Sequence, residues 1–357
     1  MGMSKKTSLK LIIVAVALVT IGCSSFGPQT ITKDRFNYTT VLSDSWKDQM
    51  LLNIVKIRYG DAPIFLDVSS VINSYELSGR AGIGGDADVV PNFGANAYLD
   101  VYGTYANRPT ITYIPLSGER FAKSLMSPIP ISPVLSLIQS GYSADLVLRI
   151  LVQSVNGLEN RYSGKNTGNP EFYQLTRNLK EIQSAGAIGL RLKKLENGEV
   201  LTLVFKNVQT EEMKNKIRDI KTILGLNQHE NEFSVIYGVL QPDDKTIAIL
   251  SRSMLQVLNE LSYYMEVPEK DVEDNRVNPS YGNLVVEGEP VSPLIRIYNA
   301  ELHPEDAFVA VPYNHHWFWI DNKDLHSKQV FSFLMFTFTL VETGNTEGKP
   351  LVTVPVR

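Results

Sequence analysis

Four of the five histidines fall in one stretch, His303, His315, His316 and His326, where a metal site would be sought first. The spacing argues against one. His315 and His316 are neighbours at the start of a strand-like run, so their side chains point to opposite faces and do not share an ion. Zinc sites commonly draw on thiolates, and the chain has a single cysteine, Cys23. Neither a metal nor a cofactor is therefore expected. Gly79, Gly82, Gly84 and Gly85 follow a strand-like run, but their spacing is not that of a dinucleotide loop and no helix pattern comes after them. Asp67 and Asp100 lie in strand-like runs and invite comparison with a glycosidase pair. Nothing fixes their separation, the quantity on which that chemistry depends. Asp271, Glu273 and Asp274 read as a solvated acidic loop. No Walker loop, G-x-S-x-G elbow or H-E-x-x-H motif occurs. No catalytic residue is assigned, and a non-enzymatic protein is the expectation.

Two tryptophans remain as candidates for ligand contact. In Asn314-His315-His316-Trp317-Phe318-Trp319-Ile320 a turn leads into an aromatic strand. Alternation puts His316, Phe318 and Ile320 on one face and Trp317 and Trp319 on the other. Two indoles on one face can stack on a sugar ring; the competing reading is that they fill a core.

The cysteine has chemistry of another kind. Lys5, Lys6 and Lys10 form a positive segment, and Leu11 to Gly22 is an apolar run of 12 residues. A helix needs about 20 residues to cross a bilayer, so this run has the length of a secretory signal and not of a span. It ends Val19-Thr20-Ile21-Gly22-Cys23-Ser24-Ser25. Residues 19–23 resemble the lipobox of bacterial lipoprotein precursors, with Thr20 standing where that motif usually has Leu. The resemblance implies removal of residues 1–22 and lipidation of Cys23, which becomes the first residue and carries acyl chains such as palmitate. It also implies, through Ser24 and Ser25, the outer membrane, with the body facing the periplasm. More than one acyl chain is what stable anchoring requires.

Composition narrows the partners. Lys5, Lys6 and Lys10 contribute three of the positive charges in a formal net charge of −4, so the chain from Cys23 onward carries −7. An acidic chain without a basic stripe is not expected to bind nucleic acid. With one cysteine, no disulfide forms within the chain.

The elements that must carry any site are read from periodicity. Residues 23–42 read as a lipidated tether, and Ser43 to Tyr59 as an amphipathic helix stopped by Gly60. From Asp67 to Ile83, Val71, Tyr75, Leu77, Ala81 and Ile83 alternate with Ser70, Ser74, Glu76, Ser78 and Arg80. From Ala95 to Tyr105, Ala97, Leu99 and Val101 alternate with Asn96, Tyr98, Asp100 and Tyr102. A period of two predicts a long amphipathic hairpin, with a further strand over 109–114. Residues 117–158 read as helical, with Ser132-Pro133 opening a helix and a buried helix over 143–158. The segment 161–169 reads as a boundary loop.

The block 170–267 is predicted as an α/β module. It comprises a helix over 170–185, a hairpin turning at Asn197-Gly198, a helix capped by Thr210, strands 232–240 and 245–251 turning at Pro242-Asp243-Asp244, and a helix over 254–265. Its βαββα order resembles, in topology only, the ring-building modules of secretion channels. Residues 268–357 read as β-rich; Phe331 to Val341 fits either a strand, which its Thr and Phe content favours, or a helix.

The whole predicts an α+β fold, with mostly antiparallel sheets, in five segments: 1–22, 23–42, 43–160, 170–267 and 268–357. The expected protein is a lipid-anchored structural or assembly component of the cell envelope, partnered by the membrane and by copies of itself or other envelope proteins. A periplasmic glycan-binding protein or envelope hydrolase using Trp317 and Trp319 is the alternative. A long hairpin with two distinct faces needs either the protein's own core or further copies of itself to cover its apolar side.

Overall fold

A computed structural model describes residues 26–72, 75–86, 96–107, 110–161, 168–195, 198–281, 284–286 and 289–341. Cys23 and the signal segment lie outside them. The fold is α+β with mostly antiparallel sheets, and it divides into two compact units, residues 64–123 and the remainder.

Helix α1, Phe26–Arg58, is longer than its pattern predicts. Residues 26–42, read as a tether, are helical, and Ser43 sits inside the helix instead of capping it. The Thr39 and Thr40 hydroxyls donate to the carbonyls of Arg35 and Phe36, one turn back, which lets polar β-branched residues sit in a helix without losing hydrogen bonds. Only the last part shows the expected apolar face: Met50, Leu51, Ile54 and Val55 are buried, whereas Phe36 and Val41 are exposed. At its end the Tyr59 hydroxyl donates to Asp271 at 2.7 Å and the Arg58 guanidinium to the Asn278 carbonyl at 2.6 Å.

The unit 64–123 holds strands β1 (Phe65–Ile72), β2 (Tyr75–Asp86), β3 (Asn96–Asn107) and β4 (Thr110–Leu116). β2 pairs antiparallel with β3, and β1 with β4. Helix α2, Glu119–Met126, follows.

The second unit is built on a six-stranded sheet. Helices α3 (Ile131–Gln139) and α4 (Ala144–Leu151) lead into β5 (Val152–Val155) and β6 (Leu158–Glu159). Ser132 and Pro133 lie within α3, whose N-cap is Pro130. Residues 152–158, expected as the end of a buried helix, instead form β5, a turn and the start of β6. Asn156 and Gly157 both have positive φ, 47° and 80°, and join Val155 to Leu158 as a two-residue hairpin. That is the backbone Asn-Gly favours. Helix α4 stops at Leu151 because its last carbonyls are taken by distant groups: Arg252 donates to Arg149 and Ile150, and Asn160 to Arg149 and Val152.

Helix α5 (Pro170–Ser184) follows, with Asn169 as N-cap and Pro170 at its start. Strands β7 (Ile188–Leu195) and β8 (Gly198–Phe205) form the predicted hairpin, though Gly198 already pairs with Leu195. Helix α6 (Glu211–Ile223), β9 (Glu232–Tyr237), β10 (Thr246–Ser251) and α7 (Met254–Ser262) complete the module. The sheet order is β6-β5-β10-β9-β8-β7, so it joins strands from both sides of the expected boundary at 161–169. The turn at 242–244 does not make a hairpin: β10 runs parallel to β9. The segment between them travels back along the strands, with Gly238 donating to Ile249 at one end and Ser234 to Lys245 at the other. Asp243 forms a local turn, accepting from the Lys245 amide and the Thr246 hydroxyl.

After the short helix α8 (Glu269–Glu273), β11 (Leu284–Val286) pairs with β12 (Glu289–Val291). Strands β13 (Tyr298–Ala300), β14 (Ala307–Tyr313) and β15 (His316–Asp321) form a three-stranded sheet in the order β13-β15-β14, packed against α1. Residues 325–341 form helix α9. The ambiguous 331–341 stretch is therefore helical, part of a helix of 17 residues, and residues 342–357 lie outside the described ones. Its start is fixed by Asp324, whose carboxylate accepts from the Ser327 amide and hydroxyl.

Candidate functional site

The ribbon of β1 to β4 carries the strongest unassigned feature. Ile72 pairs with Thr110 and Tyr75 with Asn107, so both ladders keep one register. The four strands are two arms of a single long hairpin. The 20 strand residues on its outgoing arm would extend about 65 Å at the usual rise per residue.

In β2 and β3 the register sets Leu77 opposite Tyr105, Ala81 opposite Val101, and Ile83 opposite Leu99. These positions share one face. The other face pairs Ser78 with Thr104, Arg80 with Tyr102 and Gly82 with Asp100. In β4 the first face continues through Ile111 and Tyr113. In β1 strict alternation would leave it, because Val71 is followed outward by polar Ser69, while Leu66 and Val68 have the opposite parity. A β-bulge between Val68 and Ser70 corrects this. The one extra residue, Ser69, shifts the parity of the strand beyond it. Val68 then pairs with Tyr113 and Leu66 with Pro115, and both rejoin the apolar face.

This face does not lie in a core. Leu66, Ile111 and Tyr113 are 41%, 38% and 54% exposed. Every residue of β4 up to Pro115 is exposed. Where the hairpin's side chains are described, only Phe65 is buried, and its ring meets Phe121 edge-on at 5.8 Å. Among the described residues each ribbon strand is paired with one other strand only.

Trp317 and Trp319 stand side by side on β15, as their spacing predicts, each half-buried; Phe318 and Ile320 on the other face are fully buried. Trp319 packs on Tyr298 with ring centroids 5.1 Å apart, and Trp317 meets His303 edge-on at 4.5 Å. The four rings form an aromatic strip, and the buried Trp319 Nε1 has no hydrogen-bond partner. Tyr298 and His303 are members that strand periodicity in 316–320 did not reveal. His315 is in the turn before the strand, with φ 67°, and does not join His316. Among the described residues no group of three potential metal ligands converges. The acidic cluster is not simply solvated: Asp271 is buried and accepts from Tyr59.

No described helix is long and apolar enough to cross a membrane. Known family models, curated proteins and solved structures contain no match to this chain.

Proposed function

We propose that this chain is an outer-membrane lipoprotein, anchored through Cys23, whose copies assemble through the hairpin 65–116 into a β-barrel. It acts as a structural component of the cell envelope and catalyses no reaction. The observation that carries the reading is the exposed apolar side chains of β1 and β4, Leu66, Ile111 and Tyr113, which the bulge at Ser69 aligns with the apolar positions of β2 and β3. An isolated two-stranded hairpin is marginal in water, and unpaired strand edges invite further strands. Side-by-side copies satisfy both edges. Closure turns Leu77, Ala81, Val101 and Leu99 toward lipid and Arg80, Asp100 and Ser78 toward an aqueous lumen, the alternation of transmembrane barrels. β2 and β3 have 12 residues each, enough for the roughly 9–11 that a tilted transmembrane strand needs.

The test is the mass and image of the protein extracted from membranes in detergent. Rings of several copies are expected. Leu77→Arg and Val101→Arg should block membrane assembly, since a cation in the lipid-facing band costs about 2–4 kcal/mol at mid-depth, whereas Ser78→Arg should leave it intact. A wild-type protein that is monomeric on extraction overturns the proposal.

The aromatic strip supports a second reading, glycan binding by Trp317 and Trp319. Retention on peptidoglycan or polysaccharide that falls on Trp317→Ala in a folded protein would favour it; retention unchanged by the substitution would sink it.

A further inference from the structure

One face of the six-stranded sheet does not close completely on its helices. A pocket of about 500 Å³ lies between the sheet and α3, α4, α5 and α6. Its walls are aliphatic side chains, among them Leu148, Leu175, Leu179, Leu203, Ile220 and Ile249, with Phe205 the one aromatic ring. Unfilled volume in a core destabilises it in proportion to its size, and apolar cavities stay dry yet take up apolar ligands. The volume lies within the range of ligand sites, roughly 300–1,000 Å³.

The polar side chains on the wall are Gln139 and Lys206, both exposed, and Gln183. The Gln183 amide is spent on the protein: it accepts from the Ala144 amide and donates to the carbonyls of Ile138 and Tyr142 at 2.8 Å each. Only its methylenes are left to face the pocket. The one charged residue on the wall is Lys206, at the solvent end. Its stem passes over Gly189, where a Cβ would be in ordinary van der Waals contact with Lys206 Cε at 3.5 Å. A long apolar body that asks for no hydrogen bonds, ending in one anionic group beside a lysine, is a fatty acyl chain.

We infer that this pocket binds a single saturated acyl chain with its anionic head at Lys206. The chain comes either from a free fatty acid, which supplies the anionic head, or from the lipid on Cys23 of the same protein, whose ester- and amide-linked chains would fill the apolar pocket and leave Lys206 in solvent. The inference is independent of the barrel; only the second source rests on lipidation of Cys23.

The wild-type protein in lipid nanodiscs, and its Cys23→Ala form in solution, are titrated with saturated fatty acids of eight, ten and twelve carbons against a fluorescent fatty acid. Empty nanodiscs give the background. Saturable binding should tighten about fourfold per methylene until the pocket is full. Lys206→Glu should weaken fatty acids at least tenfold and leave the matched primary alcohols unchanged. Leu203→Trp should abolish both in a protein with unaltered circular dichroism. If the tryptophan variant unfolds, the lysine variant, exposed and outside the core, still decides the question. Binding by wild-type protein assigns the pocket to free lipids. Refusal by wild type with binding by Cys23→Ala assigns it to the protein's own anchor. Refusal by both, or fatty acids and alcohols weakened alike by Lys206→Glu, overturns the inference.

Discussion

His315 holds a conformation that L side chains resist. With φ 67°, after Asn314 at 45°, it is the second residue of the tight turn that pairs Tyr313 with His316. Both positive values fit the turn that suits hairpin twist, for which Asn then Gly is favoured. His315→Gly should therefore stabilise the protein by about 1 kcal/mol in chemical denaturation, the scale of left-handed strain at a non-glycine residue. Three phenols predict behaviour at high pH. Burial, then the bond to Asp271, pushes Tyr59 far up; burial alone dominates for Tyr173, raised to about 12; burial, then the bond to Asp61, raises Tyr313 to about 12. A raised folded-state value favours the neutral phenol in the native protein. The linked stability is complete below pH 10 and is lost as pH rises through about 12. Phenolate absorbance should lag behind that of free tyrosine and rise together with loss of near-ultraviolet dichroism; Tyr173→Phe should make the alkaline fall in melting temperature shallower. Tyr313 is the more solvent-screened and contributes less. At this scale the sequence was readable where the chemistry is local: the alternation of Trp317 and Phe318 follows from strand geometry. Tyr298 joins the strip by pairing with Trp319 across the sheet, and His303 joins it from the loop after β13, neither of which neighbours in sequence encode.

Among elements, the missed assignments share one cause: the deciding partner lies far along the chain. Helix α4 ends at Leu151 with neither Gly nor Pro to stop it, because Arg252, wholly buried, caps it from a hundred residues away. Its guanidinium donates to the carbonyls of Arg149, Ile150 and Arg161, and its own amide to Leu151. A cation at a helix C-terminus also meets the negative end of the helix dipole. Arg252→Met strands those buried carbonyls and should cost on the order of 3–5 kcal/mol in urea unfolding. Arg252→Lys should recover little, since an ammonium cannot reproduce the planar fork. Equal stability of wild type and Arg252→Met would show the caps to be unimportant. Two signals were local and available. Asn156-Gly157 marks a hairpin wherever it stands, and Asp324 three residues before Ser327 marks the start of α9. The parallel pairing of β9 and β10 had no such mark, since Pro242-Asp243-Asp244 turns the chain equally well at the end of a returning segment. The bulge was legible as a change of parity: apolar positions are odd at Val71 and even at Val68. Inserting an alanine between Thr112 and Tyr113 gives Ser69 a partner, removes the bulge, and should turn Leu66 and Val68 to the polar face and lower the yield of assembled protein, while deleting Ser69, which keeps Val68 opposite Tyr113 on the apolar face, should not.

For the whole molecule, the two units have opposite relations to their surroundings. The larger one buries its own apolar residues around a six-stranded sheet, with Leu175, Ile220 and Leu258 at or near zero exposure. The ribbon leaves Leu66, Ile111 and Tyr113 exposed and has no third strand among the described residues. Stability in the first is intrinsic; in the second it depends on what the ribbon meets, because two strands bury too little to offset the entropy of ordering them. Hydrogen exchange should separate the two. In dilute detergent that dissociates any assembly, amides of β2 and β3 should exchange within seconds, while those of β9 and β10, paired on both sides, stay protected for hours. In the membrane-assembled protein the ribbon amides should become protected as well, on both edges of the hairpin, since each edge acquires a neighbouring copy. Protection confined to the amides that β2 and β3 already exchange with each other would mean that no further strand joins them. Slow exchange of the ribbon in the dissociated protein would mean that the hairpin is stable alone, and the physical case for partner copies would fall with it.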